Sequence, residues 1–193
     1  MARLIRLLSE ALITVERLAL MGLVAAVAVL VLLNVGGRAL GVTLAWADEL
    51  AILAMVLAAF IGAALMLRAR IDPAVLILHE LLPARAVALL RGAVSVVALG
   101  FGLVLLWICA RWLDPVGLAA SGFDVAAFEM TRFNFVYTEV TPVLGWPFWW
   151  FYLILPWFAL SISLHAAANL LEDLGLSPPR ALGAELRGEG HTP

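Results

Sequence analysis

LAWADELAILAMVLAAFIGAALMLRAR, residues 44–70, decides the fold. Between Leu50 and Leu67 it holds no Asp, Glu, Lys or Arg, with Asp48 and Glu49 closing one side and Arg68 and Arg70 the other. A helix of that length, at about 1.5 Å per residue, nearly matches the roughly 30 Å of a bilayer's hydrocarbon core. Residues 18–37, 92–110 and 140–171 are also free of charge and long enough to cross. Composition agrees: 65% of the 193 residues are hydrophobic and 13% charged, where soluble domains carry about a quarter charged. The expected fold is an all-α membrane protein with four transmembrane helices. They cover about 18–37, 46–67, 92–112 and 146–168 of a membrane domain at 1–171, and a partly disordered cytoplasmic tail follows at 172–193.

Arg3, Arg6 and Arg17 ahead of the first apolar run resemble the start of a signal peptide. The run is longer than a typical signal core and no small-residue cleavage site closes it, so it is expected to stay as a first span. Cys109 is the only cysteine, which excludes an internal disulfide, and no Cys/His cluster suggests zinc. No basic stripe points to nucleic acid.

All twelve basic residues are arginine. With the N-terminus inside, nine fall on the cytoplasmic side (Arg3, Arg6, Arg17, Arg68, Arg70, Arg85, Arg91, Arg180 and Arg187), leaving Arg38, Arg111 and Arg132 outside. That asymmetry places both termini in the cytoplasm. Trp46, Trp107, Trp112, Trp146, Trp149 and Trp150 then fall near the outer ends of spans, as an interfacial belt should.

Between spans two and three, Asp72 and Pro73 suit an N-cap and first helical position. Val75, Leu78 and Leu82 follow at helical spacing, and Pro83 should end or kink the piece. An amphipathic helix lying in the cytoplasmic interface is expected there. The outer segment 111–139 is long for a connector. Its Phe123, Phe128, Phe133, Phe135 and Tyr137 suggest that it packs on the membrane face or on another chain. Rows of small residues four apart (Ala54, Ala58, Gly62; Ala159, Ser163, Ala167; with Ala98 and Gly102) would let helix backbones approach closely in lipid.

Signs of chemistry are few. Ionisable groups within a membrane are expensive and usually functional, yet the uncharged stretches leave His165 as the only candidate. His79 lies in the connection and His191 in the tail, so no second histidine offers an axial haem ligand. His165 is expected to be interfacial or hydrogen-bonded to a neighbour. No pair of broken helices marks a midplane solute site, although Pro156 could kink span four. No catalytic residue, substrate-binding residue, metal or cofactor is expected. The chain reads as an accessory, bracing rather than transporting.

The stretch NVGGRALGVTLAWADELAILAMVLAAFIGAA, 34–64, resembles the small membrane subunit of TRAP (tripartite ATP-independent periplasmic) transporters, the DctQ-like family. Asn34, Arg38, Trp46, Asp48, Glu49, Phe60, Gly62 and Ala63 follow that family's pattern in order. In WPFWWFYLILP, Pro147, Trp149, Tyr152 and Pro156 follow a second one. The chain departs at Arg70, Pro73 and Ala74 after span two, and at Phe158, where the family has glycine. The resemblance implies a multi-pass protein of the bacterial inner membrane with no enzymatic activity. Its partners would be a large TRAP permease subunit carrying sodium and an organic acid, a periplasmic binding protein that delivers the acid transiently, and membrane lipid. Asn34, Arg38, Trp46, Asp48, Glu49, Gly62, Tyr152 and Pro156 are the candidates for structural or partner contacts. The alternatives from other classes are a membrane anchor for a redox enzyme complex and a free-standing small transporter.

Asp48 and Glu49 would then occupy the first turn of span two, where exposed N–H groups and the positive helix end favour carboxylates. Helix capping at a wet interface accounts for them. A pairing of Arg38 with Asp48 or Glu49 would in addition fix the outer connection.

Overall fold

The computed structural model describes residues 2–71 and 83–178; the expected interfacial helix and most of the expected tail lie outside the described residues. The described residues form α1 (Ala2–Ala39), α2 (Ala45–Ala69), α3 (Ala84–Leu113), α4 (Pro115–Ala120), α5 (Val125–Arg132), α6 (Trp149–Tyr152) and α7 (Ile154–Asp173), with no β-strand among them. Four helices are long and apolar enough to cross a membrane: α1, α2, α3 and the α6–α7 pair. The all-α, four-span expectation stands.

The helices outrun the uncharged stretches that announced them. At about 1.5 Å per residue α1 is roughly 57 Å long, and it begins well ahead of Leu18. Pro83 immediately precedes α3, and its carbonyl accepts from Ala86 N and Val87 N at 2.9 and 3.1 Å. Proline suits this position because the N–H it lacks would have no helical partner there. Glu172 and Asp173, assigned to the tail by their charge, are the last turn of α7.

Span four is broken where expected. Pro156 has no N–H to give to the Tyr152 carbonyl, and Leu153 falls outside the helix between α6 and α7. The helix resumes at once, with Trp157 N bonding Leu153 O at 3.2 Å.

The chain divides into two compact units: Met1–Leu18, Ile61–Val104 and Phe158–Pro193 form the first, Ala19–Phe60 and Leu105–Trp157 the second. In the first, the buried positions are spaced as a helix face requires: Ser9, Ile13 and Glu16 on α1; Ile61, Ala64, Leu65 and Arg68 on α2; Ala159, Ile162, Ser163, Ala166 and Asn169 on α7. Gly102 of α3 permits a close approach, because a Cβ there would lie 2.3 Å from Ser163 Oγ and 3.1 Å from Ser163 N. The small-residue reading holds for Gly102, Ala159 and Ser163, whereas Ala167 is only half-buried beside the fully buried Ala166.

In the second unit, segment 111–148 folds on itself. Asp114 caps α4 by accepting from Gly117 N at 2.9 Å, and a Cβ at residue 117 would meet that carboxylate at 2.2 Å. Asp124 caps α5 through Ala126 N and Ala127 N. Phe128 is fully buried edge-on to Tyr137, whose ring meets Trp149 in the same manner. Tyr137 donates to the Leu113 carbonyl at 2.7 Å. The aromatic residues therefore separate: Phe128 and Tyr137 pack within the segment, while Phe123, Phe133 and Phe135 remain exposed.

Candidate functional site

Two polar clusters stand out, one in each unit. In the first, Arg68 projects from the last turn of α2 and is 2% exposed. Each arm of its guanidinium is engaged: Nε donates to Ser9 Oγ on α1 at 3.1 Å, Nη1 to Asn169 Oδ1 on α7, and Nη2 to Glu172 Oε1 on α7 at 2.6 Å. Asn169 is held by donating its Nδ2 to the Leu67 carbonyl at 2.9 Å. The planar fork of arginine suits three simultaneous acceptors; the single ammonium of a lysine would not reach all of them.

Ser9 links Arg68 to His165. Its hydroxyl lies 2.8 Å from His165 Nδ1, and His165 Nε2 lies 3.0 Å from Glu16 Oε2 on α1. The other Glu16 oxygen accepts from Ser161 Oγ. Ser9 has one proton to give and already accepts from Arg68. All groups are satisfied when Ser9 donates to Nδ1 and the histidine carries its proton on Nε2, facing Glu16. The side chains of Glu16 and His165 are wholly enclosed.

At the edge of the same cluster, Arg70 donates to the Asn169 carbonyl at 2.8 Å and pairs with Asp173 at 2.8 Å, and Ser95 of α3 donates to Asp173 at 3.2 Å. Arg70 stands in the left-handed region, φ 55°, a position glycine usually fills after a helix. Its strained backbone is tied down by those side-chain contacts. Through this cluster α1, α2, α3 and α7 are joined by polar contacts within one unit.

This overturns the view that His165 is the sole ionisable candidate. Glu16 and Arg68 lie inside the spanning helices, two residues ahead of Leu18 and one beyond Leu67, where their uncharged stretches end. The expectation that His165 bonds to a neighbour is met twice over. A signal was present in the sequence: Ser9 and Glu16, and likewise His165, Asn169 and Glu172, are spaced three, four or seven apart, so each set shares a helix face.

The second unit carries most of the sequence candidates. Asn34 of α1 is 4% exposed and donates its Nδ2 to Asp48 Oδ1. Arg38 Nη2 donates to Asp48 Oδ2 at 3.1 Å, with both side chains largely exposed. Of the two acids, Asp48 is thus the one that pairs with Arg38. Glu49 acts elsewhere, its oxygens accepting from Val143 N at 3.0 Å and Leu144 N at 2.8 Å and so securing the turn ahead of α6. Tyr152 donates to Glu139 Oε2 at 2.8 Å and stacks on Phe148 with centroids 5.6 Å apart. Trp46 is exposed and Gly62, in the first unit, is half-buried. Asp48, Glu49 and Tyr152 also line an almost wholly apolar groove of about 670 Å³ with Ile52, Val56 and Phe151.

Burial, and secondarily the Asp114 carboxylate, push the Tyr137 phenol above the usual tyrosine value. Among the described residues no group of three or more His, Cys, Asp or Glu side chains could hold a metal ion.

Four apolar helices, long enough to cross a membrane and tied together by polar clusters, define a multi-pass membrane protein. Residues 27–176 match the model of the family described as tripartite ATP-independent periplasmic transporters, DctQ component. The chain belongs to that family and is a small membrane subunit of a TRAP transporter. No curated protein and no solved structure matches it. Family members are transporter components that function with a large permease and a periplasmic binding protein. The redox-anchor alternative is left without support.

Proposed function

We propose that this chain braces the large permease in the bacterial inner membrane, with both termini cytoplasmic, during sodium-coupled uptake of an organic acid delivered by the binding protein. The observation that supports bracing is the enclosed Ser9–Glu16–Arg68–His165–Asn169–Glu172 cluster. A stator must resist sliding and rotation of its own helices while its partner moves. In lipid, hydrophobicity does not hold helices together, so packing and interhelical hydrogen bonds must do so. A directional network across several helices admits few alternative registers, because any slip would leave a charge enclosed without its partner.

The candidate contacts fit the same reading. Arg38 in the last turn of α1 and Trp46 and Asp48 in the first turn of α2 carry exposed side chains and are our candidates for meeting the permease. Asn34, Glu49, Tyr152 and Pro156 shape the backbone that presents them, and Gly62 serves helix packing. Nine arginines against three support the orientation.

Co-expression with a TRAP permease, followed by purification through a tag on this chain, tests the assignment. The permease is expected to co-purify. Vesicles holding both subunits are expected to take up solute in the presence of sodium and loaded binding protein, and vesicles with the permease alone to lose most of that rate. Solute uptake by vesicles containing this chain alone would contradict the proposal.

A further inference from the structure

A groove of about 320 Å³ in the first unit is lined by Arg3, Arg6 and Leu7 of α1 and by Leu176, Ser177 and Pro178 beyond α7. We propose that it binds the phosphate of an anionic phospholipid whose acyl chains run along the neighbouring leucines. This inference does not depend on the bracing role or on the orientation of the chain.

The groove has a fixed wall. Gly175, at φ 72°, takes the left-handed position after α7, and Gly175 N bonds Glu172 O at 3.1 Å while Leu176 N bonds Leu171 O at 2.9 Å. That is the glycine-terminated helix end that reverses the chain, and it sets Leu176, Ser177 and Pro178 across from α1. The floor of the wall is anchored by Glu172, itself held by Arg68.

The opposite side is cationic. Arg3 and Arg6 are three residues apart and so share a helix face. Arg6 spends only its Nε on Glu10, at 2.9 Å, and Arg3 makes no ion pair with any described residue. Two guanidinium groups beside a hydroxyl suit a phosphodiester, since the arginine fork matches phosphate oxygens in pairs. An anion alone would leave the apolar surroundings unexplained. Leu4, Leu7, Leu8 and Leu176 are each at least half exposed around the arginines, and hydrocarbon chains would cover them. Charge on one part and apolar surface on the next describes an anionic amphiphile.

The test uses the full chain in detergent, titrated with phosphatidylglycerol, phosphatidylcholine or inorganic phosphate, with bound lipid counted by native mass spectrometry. Phosphatidylglycerol is expected to be retained on the order of tenfold better than phosphatidylcholine, because arginines near the headgroup favour net negative charge. The double variant Arg3→Gln/Arg6→Gln is expected to abolish that preference, and Arg3→Lys/Arg6→Lys to keep most of it. Leu176→Asn is expected to weaken phosphatidylglycerol retention while leaving inorganic phosphate unaffected. Three results would overturn the proposal: equal retention of the two lipids, a loss in Arg17→Gln as large as in the double variant, or displacement of the lipid by millimolar inorganic phosphate. Circular dichroism identifies any variant that has lost its helices, and the lysine pair then decides.

Discussion

The two units use the same kinds of residue to different ends. In the second, Arg38 and Asp48 pair in the open, with side chains 63% and 47% exposed. In the first, Arg68 and Glu172 pair with 1% and 4% exposed, and further polar groups close around them. An exposed pair competes with water and salt, so its contribution is small. An enclosed pair gains little net stability over apolar residues of the same shape, yet breaking it leaves one charge stranded. The comparison assigns the enclosed cluster to fixing helix register and leaves the exposed pair free for a partner.

The largest effect is expected from stranding a charge. Arg68→Met should leave Glu172 with only the more distant Arg70, 4.0 Å away, and cost about 3–5 kcal/mol, read as a lowered unfolding midpoint in detergent. The double variant Arg68→Met/Glu172→Met should regain much of the loss. A single-variant cost equal to that of any exposed arginine would erase the distinction between the units.

Next is packing. Gly102→Ala places a methyl 2.3 Å from Ser163 Oγ, an overpacking that should cost about 1–3 kcal/mol. Adding Ser163→Ala should recover part of it. Stability within error of wild type for Gly102→Ala would show that α3 and α7 are not closely apposed there.

Smaller effects belong to the second unit. Glu49→Ala removes the acceptor for Val143 N and Leu144 N and should cost about 1 kcal/mol, with faster amide exchange at those two residues. Arg38→Ala should change stability by less than about 1 kcal/mol, and less still at high salt. If the pair meets the permease, Asp48→Arg should nonetheless reduce co-purification, and Arg38→Asp added to it should restore assembly. Normal assembly of each single variant would remove the pair from the interface.

The smallest effect is at high pH. The folded-state pKa of Tyr137 lies above the ordinary tyrosine value, so its stabilising contribution is complete below about pH 10 and fades as pH rises through the folded value. The chain has two tyrosines, so Tyr152→Phe isolates Tyr137 for ultraviolet titration. Ionisation at or below the ordinary value would contradict its burial near Asp114.

The sequence made the four spans legible because removing charge from lipid imposes a constraint readable residue by residue. It also exposed a pairing of Arg38 with Asp48 or Glu49, of which the structure selects Asp48, and the break at Pro156, since both depend on neighbours along the chain or on one missing N–H. The enclosed cluster was harder to read. Glu16 and Arg68 flank their uncharged stretches, where a charge is ordinarily assumed to face headgroups or water. Only the pairing of α1, α2 and α7 brings Ser9 beside both Arg68 and His165. Likewise, the aromatic residues of 111–139 announced packing, but only the fold separates Phe128 and Tyr137 from the exposed Phe133 and Phe135.

A double-mutant cycle between Glu16 and His165, by Glu16→Gln and His165→Leu in detergent unfolding, tests the locked network most directly. Ser9 and Ser161 touch this pair, and neither variant disturbs the Arg68–Glu172 contact. A coupling of about 1–3 kcal/mol is expected for two enclosed partners in one network. Additive losses, with coupling near zero, would contradict the account.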